Sequence, residues 1–269
     1  MSRNGPLALG YHALFVVFML APILVVCWVA FTPEGFLSFP TDHWSLRWFE
    51  AIGRYPEFVS AFWRSLWLGA LSSACAVAVS VPAALAIARH RFAGRGAMTA
   101  LFMSPLMIPH VVLGIAFLRF FTEVGLGGTF AGLVLAHIVI VLPFALRLTL
   151  ASAVGLDRAL EHAAVSLGAS EGTVLRRITL PLVLPGLVSG WALAFINSFD
   201  EVTMTVFIAA PGTETLPVRM FLYIQDNIDP LVTSVSACVI AVTVAALLVL
   251  DRAYGLERLL VGRSGEHGR

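Results

Sequence analysis

The chain has 269 residues, of which 59% are apolar and 12% charged, and its mean hydropathy is +0.90. Soluble domains carry roughly 25% charged residues, so this composition excludes an ordinary water-soluble globule. All 17 basic residues are Arg, which excludes a P-loop lysine and a Schiff-base lysine; a net charge of +1 offers no basic face for nucleic acid.

Apolar runs follow one another at residues 7–31, 65–88, 97–121, 131–152, 182–210 and 231–250. Each can cross a hydrocarbon core, which takes about 20 helical residues. The runs are continuously apolar rather than alternating, so helices are expected and not a barrel. The first is too long for the apolar region of a signal peptide and no small-residue cleavage site follows, so it is expected to be an uncleaved span.

After it, residues 32–64 hold Trp44, Trp48, Phe49, Tyr55, Phe58, Phe62 and Trp63. Such density suits a membrane interface, with a short amphipathic helix near residues 46–52. In the third run Pro105 and Pro109 predict a kink or break. Breaks at membrane depth are tolerated where they line a cavity, so the adjacent His110 either faces that cavity or bonds to a neighbouring helix. Pro82, His137 and Pro143 read as kink and packing residues. Cys27, Cys75 and Cys238 sit in apolar runs without a CxxC pair, so they read as small buried residues.

Arginine placement gives the orientation, because cytoplasmic loops are enriched in basic residues. With the N-terminus inside, the inner side holds Arg3, Arg89, Arg91, Arg95, Arg147, Arg158, Arg176, Arg177, Arg252, Arg258, Arg263 and Arg269. The outer side holds only Arg47, Arg54, Arg64, Arg119 and Arg219. Both termini are therefore expected in the cytoplasm.

The fourth and fifth runs are joined by a long inner loop, residues 156–181. Its residues 157–167 have helix-forming composition. Gly168 fits a C-terminal cap, Ser170 can cap a second short helix, and Pro181 ends that helix or starts the next span. The string Gly168-Ala169-Ser170-Glu171-Gly172 matches the nucleophile elbow of hydrolases, but that motif needs a preceding strand, and here both flanks read as helix. Glu161-His162 is no part of a zinc-binding His-Glu-x-x-His.

This loop resembles that of the permease subunits of type I ABC importers, which reads Glu-Ala-Ala, three residues, Gly, nine residues, Ile-x-Leu-Pro. Ala163, Ala164, Gly168, Ile178, Leu180 and Pro181 fall at that spacing. His162 stands at the Glu position, with Glu161 one place earlier. The resemblance implies a coupling helix seated on an ATPase subunit, with Glu161, His162, Ala163, Ala164 and Gly168 in contact.

In the fifth run, Asn197 precedes Asp200 and Glu201 by three and four residues, which would give the three one broad helix face. Gly186 and Gly190, four apart, allow close approach of another helix. Intramembrane acids are costly and belong in a cavity or a pair; the alternative is that Asp200 and Glu201 are solvated near the outer surface.

Over nearly the whole chain the resemblance is to the spermidine/putrescine-type permeases. It rests on Trp48, Leu167-Gly168-Ala169-Ser170, Gly190-Trp191, Ser198-Phe199-Asp200-Glu201-Val202, Pro211-Gly212 and Leu216-Pro217. Relatives that move polyamines often carry an acid where His110 stands, which keeps opines, other amino-acid derivatives and organophosphonates open as cargo.

The expected fold is all-α: an integral membrane, MetI-like type I permease with six transmembrane helices and a cytoplasmic coupling helix between the fourth and fifth. It would be a non-catalytic subunit in the bacterial inner membrane. The resemblance implies, as partners, an ABC ATPase dimer, a second homologous permease and a periplasmic substrate-binding protein. No cofactor or metal is expected on this chain, since ATP and Mg would be bound by the ATPase. The expected substrate path is Trp48, His110, Asn197, Asp200 and Glu201. The rival reading is an ion-driven secondary transporter using Asp200 and Glu201, which leaves the loop unexplained.

Overall fold

A computed structural model describes residues 5–41 and 43–254. Arg3, Arg258, Arg263 and Arg269 lie outside the described residues. In chain order the helices are α1 (Pro6–Val29), α2 (Arg47–Ile52), α3 (Pro56–Arg89), α4 (Arg95–Met103), α5 (His110–Glu123), α6 (Phe130–Val154), α7 (Arg158–Ser166), α8 (Glu171–Val174), α9 (Leu180–Phe199), α10 (Thr205–Ile208), α11 (Leu216–Asp226) and α12 (Leu231–Tyr254). A 3₁₀ turn, Ser104–Met107, follows α4, and a π-turn, Leu175–Thr179, joins α8 to α9. The chain forms two compact units, one of residues 1–60 with 219–253, the other centred on residues 61–218.

Among the described residues, four helical stretches are long and apolar enough to cross a membrane: Leu7–Val29, Pro56–Arg89, Phe130–Val154 and Glu171–Phe199. A fifth exists only as a broken pair, Arg95–Met107 and His110–Glu123, bent by 101°. Leu231–Ala246 is a shorter apolar helix. The break has a local cause. Ile108 precedes Pro109, and proline pushes its predecessor out of the helical region; Ile108 is extended, with φ −98° and ψ 128°.

The fifth run differs from expectation. Instead of continuing to residue 210, α9 ends at Phe199. Glu201 lies just beyond, and its carboxylate accepts the Met204 N–H at 2.6 Å. That side chain closes a turn from which α10 starts, so the acid redirects the backbone.

Within the larger unit, α6 is the central helix. Its start is capped by Thr129, whose hydroxyl accepts the Gly132 N–H at 3.1 Å. The core around it joins Leu68, Leu133, Ile140, Val141, Ala194 and Met204. Helix α9 lies so close that a Cβ on Gly186 would stand 2.3 Å from the Ser152 Cβ, and one on Gly190 3.1 Å from the Ala145 carbonyl. Without a hydrophobic drive between helices in lipid, such backbone proximity is what packs them.

The smaller unit is aromatic. Trp28 and Trp44 lie 4.9 Å apart, as do Phe31 and Phe49. Trp48 on α2 is buried, its indole N–H donating to the Glu34 carbonyl at 3.0 Å. Ser234 on α12 donates to the Ala30 carbonyl at 3.0 Å, and Arg219 pairs with Glu57 at 2.9 Å. The Tyr223 phenol donates to Asp229 at 2.7 Å. Burial and the Asp229 carboxylate hold this phenol well above its ordinary pKa, so it remains a donor.

Candidate functional site

The loop of residues 156–181 is built from capped pieces. Asp157 accepts the Ala159 N–H at 2.9 Å and starts α7. Gly168 ends it at φ +89°, the left-handed region where a Cβ is penalised. The Gly168 N–H reaches the Val165 carbonyl at 2.9 Å and the Ala169 N–H reaches that of Ala164 at 3.0 Å. These are the two bonds of a Schellman motif. Ser170 then caps α8 through the Thr173 N–H.

The faces of α7 separate the loop residues. His162, Ala163 and Gly168 are exposed, Leu167 is 89% exposed, and Ala164 is half-buried. Glu161 differs from the expectation of an outward contact. It is buried, and its carboxylate takes hydrogen bonds from Arg89 at the end of α3 and from Thr179 at the end of the π-turn. Arg89 also donates to the Thr179 hydroxyl at 2.9 Å. The physical reason is period: on a helix Glu161 lies about 100° from His162, so one faces the protein when the other faces out. Ile178 and Leu180 are half-buried on the way into α9, and Pro181 is exposed at its start.

At the far end of α9 the expected path residues separate as well. Asp200 is exposed at the helix C-terminus. Glu201 is buried beyond the helix, so Asn197, Asp200 and Glu201 do not share one helix face. Asn197 turns its amide back to the Leu193 carbonyl at 2.8 Å. His110, the first residue after the break in the third run, meets the Glu201 carboxylate through Nδ1 at 2.7 Å. Both carboxylate oxygens of Glu201 are thus engaged, one by Met204 and one by His110. Trp48 belongs to the smaller unit and is held as described above.

His137 has a role that the sequence did not reveal. It is fully buried in α6; Nδ1 lies 2.8 Å from the Ser198 hydroxyl and Nε2 3.0 Å from that of Thr205. Ser198 in turn lies 3.0 Å from the Ser72 hydroxyl, which donates to the Leu68 carbonyl at 2.6 Å. With the ring proton on Nδ1, each hydroxyl in this chain has a partner. The ring therefore ties the end of α9 to the start of α10 and sets the turn that carries Asp200 and Glu201. The only sequence signal was a His in mid-span alongside serines in a neighbouring run. Among the described residues no group of three or more His, Cys, Asp or Glu could hold a metal.

Several membrane-length helices, one of them a broken pair, joined by a capped loop describe a polytopic membrane protein. Residues 80–257 match the family described as binding-protein-dependent transport system inner membrane component, and the chain belongs to that family. It is 31% identical to the spermidine/putrescine transport system permease protein PotC of Haemophilus influenzae, over 93% of this chain and 95% of that protein. It is 36% identical to the molybdenum transport system permease protein ModB of Mycobacterium bovis, over 77% of this chain and 82% of that one. Its fold is similar to a chain from a bacterial ABC transporter involved in the import of the acidic polysaccharide alginate, with TM-score 0.73 and 15% identity over 94% of this chain and 99% of that one. The chain is thus a non-catalytic, multi-pass inner-membrane permease subunit of an ABC importer. The ion-driven alternative finds no support in this family.

Proposed function

We propose that this permease imports a small organic amine of the polyamine kind, as one half of a permease pair with a second, homologous subunit. An ABC ATPase dimer would drive the pair and a periplasmic binding protein would deliver cargo. Six spans with both termini cytoplasmic fit the arginine distribution, the broken pair counting as the third span and α12 as the sixth. Residues 156–181 act as the coupling loop, with His162, Ala163, Leu167 and Gly168 on the face that meets the ATPase.

The observation that carries the cargo reading is the length of the likeness to PotC, whose name gives spermidine and putrescine. ModB, with its molybdenum cargo, is more identical but over less of the chain. The site adds a physical reason for a cation: Asp200 is an exposed carboxylate beside the buried Glu201. Both Glu201 oxygens are already taken, by Met204 and His110, so Asp200 is the acid left for cargo.

The test is uptake in proteoliposomes holding the whole complex, with ATP inside and the binding protein outside. Labelled putrescine or spermidine is expected to accumulate only with hydrolysable ATP and to be competed by unlabelled polyamine. Uptake of molybdate without uptake of either amine would assign the cargo to the ModB class instead.

A further inference from the structure

Three inner elements meet at one point. Arg89 ends α3, Glu161 lies in the first turn of α7, and Thr179 ends the π-turn that leads into α9. Each of the three side chains bonds to the other two. Thr179 is fully buried, Glu161 nearly so, and the Arg89 side chain is one-fifth exposed. Arg and carboxylate at such a site form a charge-assisted bond, stronger than a neutral one. Leaving either charge unpaired there would be costly, so the knot holds as a unit.

We propose that Arg89 is a positioning residue for transport, which carries displacement of α7 into the inner ends of α3 and α9. This rests on the reading of residues 156–181 as the coupling loop. Beside its flanking backbone, at the Gly155 turn and the Gly168 cap, the knot supplies the side-chain hydrogen bonds that join α7 to α3 and to the entry of α9 among the described residues. With it, a push on α7 reaches two spans through side chains. Those spans also touch each other further along, where Ser72 of α3 meets Ser198 of α9, next to the turn that holds Asp200 and Glu201. The π-turn is the third support: such turns depart from regular helix geometry and recur at functional sites. Here it brings the Thr179 hydroxyl to the carboxylate.

The experiment uses the assembled complex in proteoliposomes and reads polyamine uptake per ATP hydrolysed, with the melting temperature beside it. Arg89→Gln and Thr179→Val are both made, since the second keeps volume and all charges. Each is expected to lower uptake per ATP by roughly threefold to thirtyfold while ATPase binding persists. Arg89→Lys is expected to recover part of the loss. The variant Arg89→Gln with Glu161→Gln is expected to be no worse than Arg89→Gln alone, because the residues act as one unit. An unchanged ratio in Thr179→Val together with Arg89→Gln overturns the proposal, as does a loss that follows melting temperature alone. A strained variant of Gly168 serves as the internal reference. If it abolishes coupling and the Arg89 variants do not, only this inference fails; if it has no effect, the coupling-loop reading fails first.

Discussion

Replacing Gly168 by Val is expected to lower uptake at least about tenfold while the complex still binds ATP. The reason lies in the backbone, not in space. A Cβ at this position would meet nothing within 4 Å, but φ is +89°. A non-glycine residue in the left-handed region costs roughly 1–2 kcal/mol, and a β-branched one is a true outlier there. A penalty near 1.4 kcal/mol is a factor of about ten in the population of the native turn. The turn fixes the angle between α7 and α8 through its two Schellman bonds, so straining it misdirects the exposed face of α7. Gly168→Asn is the control, because Asn visits the left-handed region readily. It is expected to retain uptake within about threefold. Uptake and ATP hydrolysis in proteoliposomes check both: Val is expected to keep hydrolysis and lose transport. If Val and Asn behave alike, backbone strain at Gly168 is not what the loop depends on.

The second large effect is expected at the acids. Asp200→Asn combined with Glu201→Gln should reduce uptake of a cationic cargo at least about tenfold, a differential of about 1.4 kcal/mol, with normal expression. The single variants divide the effect by role. Asp200 is exposed, so Asp200→Asn is expected to raise KM without lowering the melting temperature. Glu201 is buried and bonds Met204 and His110. Glu201→Ala is therefore expected to destabilise by about 1–3 kcal/mol, the cost of a buried donor left unsatisfied. Glu201→Gln retains an acceptor for the Met204 N–H and should be milder. Unchanged uptake kinetics in the double variant would return Asp200 to the solvated-surface reading and leave Glu201 with its structural bonds alone.

The sequence made some parts legible because the physics was local. Pro109 disfavours the helical region for Ile108, which is where the break falls, and Asp157, Gly168 and Ser170 each carry their capping role in their own side chain or lack of one. The first, second and fourth runs became plain helices because length and apolarity alone suffice. What escaped was set by partners distant in the chain. The end of α9 depends on Glu201 finding the Met204 N–H, although the apolar run continues beyond it. His137 looked like packing because Ser72, Ser198 and Thr205 come from three other stretches. Arg89 counted only as one basic residue at an inner end, since nothing local connects it to Glu161 or Thr179. The displaced acid of the loop motif, Glu161 in place of residue 162, finds its account in that knot: the carboxylate is turned to Arg89, and of the two neighbours it is His162 that stands on the outward face.

The central claim is that the exposed face of α7 meets an ATPase subunit. It is tested most directly by a single cysteine, Leu167→Cys, in a chain whose Cys27, Cys75 and Cys238 are replaced by Ser or Ala. Leu167 is 89% exposed, so a short bifunctional thiol reagent applied to the assembled complex should join it to the ATPase subunit. The yield should change when ATP is trapped. If Leu167→Cys forms no such product while a cysteine at Arg91 in the neighbouring inner loop does, α7 is not the coupling element.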